Sequence, residues 1–339
     1  MKLIKSASLL LLFLTLSGCF PSNDTMRNEV LLQGKTMGTT YHIKVIVDQN
    51  VVDTKELQQK IDTELKQLNR EMSTYIPDSE LSLINQSTEL TPTKVSIGLA
   101  RVVQEAIRLG HLSGGKLDVT VGPLVNLWGF GPEYQPETVP TAEVLAATRK
   151  RIGLNNLSLV EGKLTKSIPD LYIDLSTIAK GYGVDIVAEL IEKEGIHNYL
   201  VEIGGEMRLK GFKHTGELWH VAIEKPISTE RAVQQIIVPK DNAVATSGDY
   251  RNYYEVDGQR FSHIIDPDTG KPINHKLVSV TVIHPSSMTA DGLSTAMMVM
   301  GEEKALAFAK QHQLAAYIIA KTENGFVEQS TEQFMQYLK

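Results

Sequence analysis

The chain has 339 residues, of which 42% are hydrophobic and 22% charged, with a formal net charge of −6 and a single cysteine. This composition is typical of a globular protein with a sizeable core, and one cysteine excludes a fold stapled by internal disulfides. No basic patch indicates a nucleic-acid partner, so an anionic ligand must be held locally, by a few placed groups or by a metal.

The first elements in chain order are export signals. Lys2 and Lys5 precede an apolar run over residues 7–16, which is shorter than the roughly 20 residues that span a bilayer. The Leu-Ser-Gly-Cys that follows resembles the lipobox of bacterial lipoproteins, and it predicts a signal peptide over residues 1–18 with lipid on Cys19. The alternative is an ordinary secretory signal with a cysteine nearby.

Beyond the cysteine, the chain divides into a tether and one folded domain. Residues 19–29 are largely polar and predict a tether between lipid and protein. A domain is predicted over residues 30–339, and its class is α+β because runs of strands are separated from the helices. Phe20 is not the aspartate associated with retention in the inner membrane, so the sequence leaves the choice of membrane open.

Periodicity predicts the elements of this domain. Apolar residues at helical spacing predict a helix capped by Thr54 and others over residues 97–110, 141–151, 178–194, 290–300 and 302–313. Alternating or β-branched runs predict strands over residues 41–47, on both sides of residues 161–162, and over 198–203, 207–212, 219–224, 233–238, 243–247, 260–265, 278–283 and 316–320.

The segment from Thr289 to Thr295 carries a possible cation site. If it opens a helix, Asp291 and Thr295 are four residues apart and share one face. A carboxylate and a hydroxyl suit a hard cation such as Mg²⁺. The alternative is that Thr289 or Asp291 caps the helix while Thr295 bonds its own backbone.

A second segment, over residues 174–183, joins a strand end to a helix start. Free backbone N–H groups at a helix start favour anionic ligands, and Lys180 adds a positive charge. An oxygen of Thr177 could complete an oxygen site. The alternative is a capped helix with a surface lysine.

A third segment contains His263. Strand alternation predicts Phe261, His263 and Ile265 on one face, before an Asp-Pro-Asp-Thr-Gly turn. A histidine near a strand end is suited to accept a proton near neutral pH. The alternative is a packed, hydrogen-bonded histidine without a catalytic role.

Together these segments resemble the ApbE family of FAD:protein FMN transferases. The resemblance also rests on Lys-Thr-Met-Gly-Thr at 35–39, Met-Ser-Thr-Tyr at 72–75, Gly-Gly-Lys-Leu-Asp at 114–118, Val-Gly-Pro-Leu at 121–124, Glu-Ile-Gly-Gly-Glu at 202–206 and Thr-Ser-Gly-Asp-Tyr at 246–250. These segments follow the family order and cover nearly the whole predicted domain.

The resemblance implies a two-lobed, T-fold-like α+β body with mostly antiparallel or mixed sheets and packed helices. It also implies Mg²⁺-dependent transfer of FMN from FAD, through a phosphoester bond, to a threonine of an acceptor protein, with release of AMP. By position in the family pattern, the FAD contacts are Met37, Tyr75, Lys116, Leu117, Asp118, Asp174, Lys180 and Ile265.

The remaining predicted roles are those of metal ligand and base. The resemblance assigns the metal to Thr177, Asp291 and Thr295, with Ser294 a weaker candidate, and His263 is the candidate base. Lys116 and Leu117 depart from the small residue and the aromatic found in many relatives, which affects the expected FAD contacts and not the reaction class.

The resemblance also implies partners and a compartment. The acceptors are expected to be membrane redox subunits, such as those of the Rnf complex or the sodium-pumping NADH:quinone reductase. The expected location is the periplasmic face of the inner membrane, through lipid on Cys19, with no nucleic-acid partner. Two alternatives remain: hydrolysis of FAD to FMN and AMP, and a flavin-binding lipoprotein without catalysis.

Overall fold

The computed structural model describes residues 27–48, 53–132, 139–227, 232–250 and 252–339. The predicted signal peptide, the lipidation site Cys19 and the tether as far as residue 26 lie outside these residues. The described part contains both helices and sheets, and its strand pairs are antiparallel, which confirms the predicted fold class. The first strand begins at Arg27, so residues 27–29 belong to the folded part and not to the tether.

The helices confirm the predicted ones and add shorter ones between them. They are α1 (Thr54–Met72), α2 (Glu80–Gln86), α3 (Ile97–Leu112), α4 (Gly122–Leu127), α5 (Ala142–Thr148), α6 (Ala179–Lys193), α7 (Ser287–Met300), α8 (Glu302–Gln311) and α9 (Glu332–Met335). Asp53, and not Thr54, caps α1, because its carboxylate accepts hydrogen bonds from the amides of Lys55 and Glu56 at 2.9 and 3.1 Å.

The strands form one large sheet and several small ones. They are β1 (Arg27–Thr36), β2 (Thr39–Asp48), β3 (Thr93–Lys94), β4 (Leu157–Val160), β5 (Lys163–Lys166), β6 (Tyr199–Ile203), β7 (Glu206–Lys210), β8 (Val221–Glu224), β9 (Val233–Ile237), β10 (Ala243–Gly248), β11 (Tyr253–Val256), β12 (Gln259–Ser262), β13 (Ile265–Asp266), β14 (Lys271–Pro272), β15 (Leu277–His284), β16 (Ala315–Thr322) and β17 (Gly325–Ser330). The predicted single strand over 260–265 is wrong, because β12 ends at Ser262 and His263 lies in the bend before β13.

The large sheet has the order β1-β2-β6-β7-β10-β15-β16-β17, and both of its faces are covered. In β2, Tyr41 and Ile43 pack against the helical side, whereas Ile46 packs on the other side with Trp219. Helices α1, α6 and α7 cover the first face, and the β8–β9 hairpin and α9 cover the second. Alternate side chains therefore enter different cores, as the pleat requires.

Two turns and a strand end come together at one end of this sheet. The β1–β2 turn, the β6–β7 turn at Gly204-Gly205 and the end of β10 all lie there, beside the first turn of α6. Gly204 and Gly205 have φ of +58° and +105°, the left-handed region that favours glycine. None of the helices described is long and apolar enough to cross a bilayer.

Candidate active site

A cleft of about 410 Å³ opens at this end of the sheet, beside α6, α7 and the residues that flank the β11–β12 hairpin. Predicted site residues from distant parts of the chain meet in it. Those that line the cleft are Tyr75, Lys116, Leu117, Asp118, Asp174, Thr177, Lys180, His263, Ile265, Asp291 and Thr295.

Met37 is not among the lining residues. It lies in the β1–β2 turn with φ +47°, and its side chain turns towards α6. A Cβ placed on Gly183 would lie 2.7 Å from the Cε of Met37, so the glycine leaves room for this side chain. The expected contact between Met37 and the flavin stays a prediction.

Helices α6 and α7 cap each other through two buried aspartates. Asp185 of α6 accepts hydrogen bonds from the amides of Ser287 and Met288, both at 3.0 Å, at the start of α7. Asp291 of α7 accepts one from the amide of Gly181, also at 3.0 Å, in the first turn of α6. Because a helix start presents unpaired N–H groups and positive partial charge, both carboxylates are stabilised there.

Ser286 caps α7, since its hydroxyl oxygen accepts from the amide of Thr289 at 3.3 Å. The alternative in which Thr289 or Asp291 caps this helix is therefore wrong, and the cation site at Asp291 stays a prediction. The helices approach closely because residue 181 is glycine: a Cβ there would lie 2.4 Å from the carbonyl oxygen of Ser287.

We expect Asp185→Asn to lower the free energy of unfolding by about 3 kcal/mol, because the buried carboxylate also accepts from the Ser286 hydroxyl and pairs with Arg208. Urea denaturation followed by circular dichroism measures the change. Glu189→Gln, which removes an exposed ion pair with Arg101 from the same helix, is the control and should cost less than about 1 kcal/mol. Equal losses in both variants would contradict the capping role.

Three charged groups meet in the cleft. The Nζ of Lys180 lies 2.5 Å from Oε1 of Glu206 and 3.8 Å from Oδ1 of Asp291. Glu206 is 4% exposed and Asp291 3%. Burial raises the pKa of both carboxyl groups, although Lys180 opposes the rise. When both carboxyl groups are ionised, the ammonium of Lys180 balances only one of them, and a bound cation would balance the other.

Two threonines offer the cleft of Asp291 further oxygen atoms suited to a cation. Thr295 lies one turn further along α7, and its Oγ1 is 3.1 Å from Oγ of Ser247. The Oγ1 of Thr177 is buried and has no hydrogen-bond partner among the residues described. No cluster of three or more His, Cys, Asp or Glu side chains is found in that part of the chain, so the fit to Mg²⁺ rests on one carboxylate with hydroxyl oxygens.

Ser294 is a poorer candidate ligand than its neighbours. It does not line the cleft, and its side chain is fully buried. Its Oγ donates to the carbonyl oxygen of Asp291 at 2.9 Å and lies 2.7 Å from Oγ of Ser247. Both contacts engage the Ser294 hydroxyl with other atoms of the protein.

The position of His263 makes one of its ring nitrogens available as a base. Its Nδ1 lies 3.0 Å from the backbone oxygen of Asn252, an acceptor that requires an N–H at Nδ1. The neutral ring then carries its lone pair on Nε2. The ring of Phe130 meets the imidazole edge to face at 6.3 Å. Burial lowers the pKa of His263, the hydrogen bond to Asn252 raises it, and the positive charge of Lys180 lowers it; the net shift is downward.

This shift predicts the acid side of the pH profile. A base is active when neutral, and a pKa below the ordinary 6.5 keeps His263 neutral at pH values where a free histidine is half protonated. We therefore expect the acid limb of kcat/KM for the reaction proposed below to have its midpoint under pH 6.5. As the control, the acid limb should be absent from the pH profile of the residual activity of His263→Ala. A midpoint above pH 6.5 would contradict the role of His263 as the base.

The segment that carries Asp174 is held rigidly. The side chain of Asn85 in α2 bonds both backbone groups of Ile173, each at 2.8 Å. The amide of Asp174 donates to the carbonyl oxygen of Val119 at 2.7 Å, and its Oδ1 accepts from the amide of Ser176 at 2.9 Å. Asp174 is thereby fixed at the cleft wall, where the resemblance predicts an FAD contact.

Lys116 also lines the cleft, and its Nζ lies 3.0 Å from Oδ1 of Asp266 and 2.7 Å from Oδ2 of Asp268. Nearby, Oδ1 of Asp118 accepts from the amide and the hydroxyl of Thr120 at 2.8 and 2.6 Å. Burial raises the pKa of Asp118 despite these bonds. Both residues thus have internal roles beside the FAD contact predicted for them.

The cleft also contains polar residues for which the sequence suggested no role. They are Ser176, Glu206, Thr246, Ser247 and Asn252. Glu206 follows a Gly-Gly pair between two strands, a pattern of a tight turn, and this signal could have placed it at the start of a strand. No local pattern predicts that its partner is Lys180, because the two residues meet only in the folded chain.

This chain is similar to known proteins over nearly its whole length. The model described as "ApbE family" matches residues 37–318. A Vibrio cholerae protein named FAD:protein FMN transferase is 54% identical over 336 residues, which cover 99% of this chain and 98% of the relative. One of the same name from Haemophilus influenzae is 49% identical, with coverages of 98% and 97%.

Solved structures agree as well. The flavin transferase ApbE from Vibrio cholerae superposes with a TM-score of 0.87 at 54% identity, over 92% of this chain and all of that one. The apo form of the Pseudomonas stutzeri flavinyl transferase ApbE superposes with a TM-score of 0.85 at 38% identity, over 92% and 97%. Sequence and structure agree over nearly the whole length, and the chain therefore belongs to the ApbE family of flavin transferases.

Proposed function

We propose that this protein is a Mg²⁺-dependent FAD:protein FMN transferase. The observation that carries the proposal is that a histidine with a free Nε2 and a buried carboxylate beside hydroxyl oxygens line one cleft. The relatives named above as FAD:protein FMN transferases support the choice of substrate.

In the proposed reaction, the hydroxyl oxygen of an acceptor threonine forms a bond to the flavin-side phosphorus of FAD. The bond from that phosphorus to the bridging oxygen of the pyrophosphate breaks, so FMN stays on the threonine as a phosphoester and AMP leaves. Because a neutral hydroxyl is a weak nucleophile, Nε2 of His263 takes its proton. The AMP phosphate keeps the electron pair of the broken bond.

The other cleft residues bind and orient the metal and the FAD pyrophosphate. Asp291 and Thr295, with Thr177, would hold Mg²⁺, which when bound neutralises charge on the pyrophosphate and on departing AMP. Lys180 supplies a fixed positive charge in a chain of net −6, which has little long-range attraction for an anion. Positioning and charge stabilisation account for most of phosphoryl-transfer catalysis, so few reacting groups are needed.

The test is mass spectrometry of an acceptor subunit after incubation with this protein, FAD and Mg²⁺. A mass gain of one FMN on the threonine, with AMP formed in equal amount, is expected. An acceptor whose threonine is replaced by valine is the matched control and should stay unmodified. AMP without acceptor modification would favour a FAD diphosphatase, and neither product would favour a flavin-binding lipoprotein.

The proposal also covers the acceptor proteins and the cellular location of the enzyme. We propose that the acceptors are subunits of membrane redox complexes, such as Rnf or the sodium-pumping NADH:quinone reductase, at the periplasmic face of the inner membrane. Lipid on Cys19 would hold the enzyme on the same membrane surface as these substrates.

Cys19→Ser is expected to move the protein from the membrane fraction to the soluble periplasmic fraction and to abolish incorporation of labelled palmitate. Fractionation and labelling in the producing cells measure both effects. Ser17→Ala leaves the cysteine in place and serves as the control. Labelled Cys19→Ser protein would exclude this cysteine as the lipid site.

A further inference from the structure

We propose that Glu206 is a positioning residue that draws the Lys180 ammonium away from Asp291 and so reserves the Asp291 carboxylate for the cation. The inference rests on the metal site of the proposed function. It concerns a residue that neither lies in the predicted metal site nor belongs to the predicted FAD contacts.

The carboxylates of Glu206 and Asp291 compete for the ammonium of Lys180. Lys180 has two carboxylates within ion-pair distance, and Glu206 is nearer than Asp291, at 2.5 against 3.8 Å. An ammonium that moved onto Asp291 would occupy the carboxylate oxygen that a metal needs. Because Glu206 is buried at the start of β7, its carboxylate offers Lys180 a fixed partner other than Asp291.

The backbone around Glu206 is built for this contact. The Gly204-Gly205 turn directs the chain so that Glu206 enters the cleft, and both glycines have positive φ. A Cβ on Gly204 would lie 3.4 Å from Cδ of Lys180, so the glycine leaves the lysine stem close to the turn. Asp291 is fixed separately, through the amide of Gly181. Two independent anchors therefore hold the lysine and the aspartate apart.

The experiment measures Mn²⁺ affinity of the full protein by electron paramagnetic resonance of the free ion, with and without FAD. We expect Glu206→Gln to weaken binding about tenfold, because the released lysine pairs with Asp291. Lys180→Met should bind Mn²⁺ at least as tightly as the wild type. The double variant Glu206→Gln with Lys180→Met should return to within about threefold of the wild type, since no lysine remains to compete.

Two further variants separate position from charge. Glu202→Gln removes the same charge four residues earlier, from a side chain that bonds His42 and the amide of Gly205 but not Lys180. The glutamine keeps an oxygen that can accept from Gly205, so affinity should change less than about twofold. Glu206→Asp keeps the charge but shortens the side chain by one methylene, so its contact with Lys180 is weakened and we expect about threefold weaker binding. Wild-type affinity in Glu206→Asp would mean that charge alone suffices, and would overturn the positioning role.

The remaining outcomes are also distinct. Unchanged affinity in Glu206→Gln, weaker binding in Lys180→Met, or a double variant as weak as Glu206→Gln would each overturn the inference, the last by making Glu206 itself a ligand. Thermal melting of each variant shows whether it is folded. If a Glu206 variant fails to fold, the Mn²⁺ affinity of Lys180→Met tests the inference. A wild-type protein that binds no Mn²⁺ in either condition would instead overturn the proposed metal site, and this inference with it.

Discussion

Replacing Asp291 by asparagine is expected to lower the rate of FMN transfer at least about a thousandfold, because a bound metal contributes several kcal/mol to stabilising transferred phosphate charge. Asparagine keeps the shape of the side chain and an oxygen that can accept from the amide of Gly181. It removes the negative charge that attracts the cation. Initial rates of AMP release with saturating acceptor and FAD measure the loss.

The matched control is Asp185→Asn, the reciprocal cap of the same two helices. Asp185 does not line the cleft, so this variant should lose stability and keep most of its activity where it is folded. Asp291→Asn should show the reverse pattern. If both variants lose activity in proportion to their stability, the role of Asp291 is confined to helix capping.

Elements with a strong internal pattern could be predicted from the sequence. In α1, Leu57, Ile61, Leu65 and Leu68 recur at helical spacing because they lie on one face of the helix, and all are buried. Residues 277–284 form a strand that is buried on both faces, so its apolar run was recognised. The sequence pattern is reliable where burial decides which side chains are apolar.

The strands that were not predicted include the two edges of the large sheet, β1 and β17. Over residues 28–36 of β1 only Leu32 and Thr36 are buried, and β17 has no buried residue. An edge strand carries polar side chains because little covers it, and the alternation that marks a strand disappears. These strands form because the neighbouring strands present unpaired backbone groups to them, which is information from outside the segment.

The candidate site also has features that the sequence predicts and features that it does not. The one-face relation of Asp291 and Thr295 follows from helical geometry and is confirmed by α7. The contacts of Asp291 with Gly181 and of Lys180 with Glu206 depend on how helices and strands pack, so no local pattern contains them. The bend at His263 was missed for a related reason: the strand is broken where the ring turns to the carbonyl of Asn252.

His263→Ala is expected to lower kcat about a hundred- to ten-thousandfold while FAD and Mn²⁺ still bind, because a positioned general base contributes a factor of this size. The imidazole contacts the Asn252 carbonyl and the Phe130 ring, so its loss leaves the lysine and carboxylate cluster in place. Added imidazole should restore part of the rate, since the space left by the side chain can admit the free base. Single-turnover transfer to the acceptor, with FAD affinity measured in parallel, separates kcat from binding.

The control is His42→Ala, which removes a half-exposed histidine paired with Glu202 outside the cleft and should leave the rate unchanged. A base and a packed histidine predict different results. Loss of FAD affinity with normal turnover would assign His263 to packing and binding. Loss of turnover, rescue by imidazole and disappearance of the acid limb together would assign the proton transfer to Nε2, because only a group that titrates and exchanges protons accounts for all three.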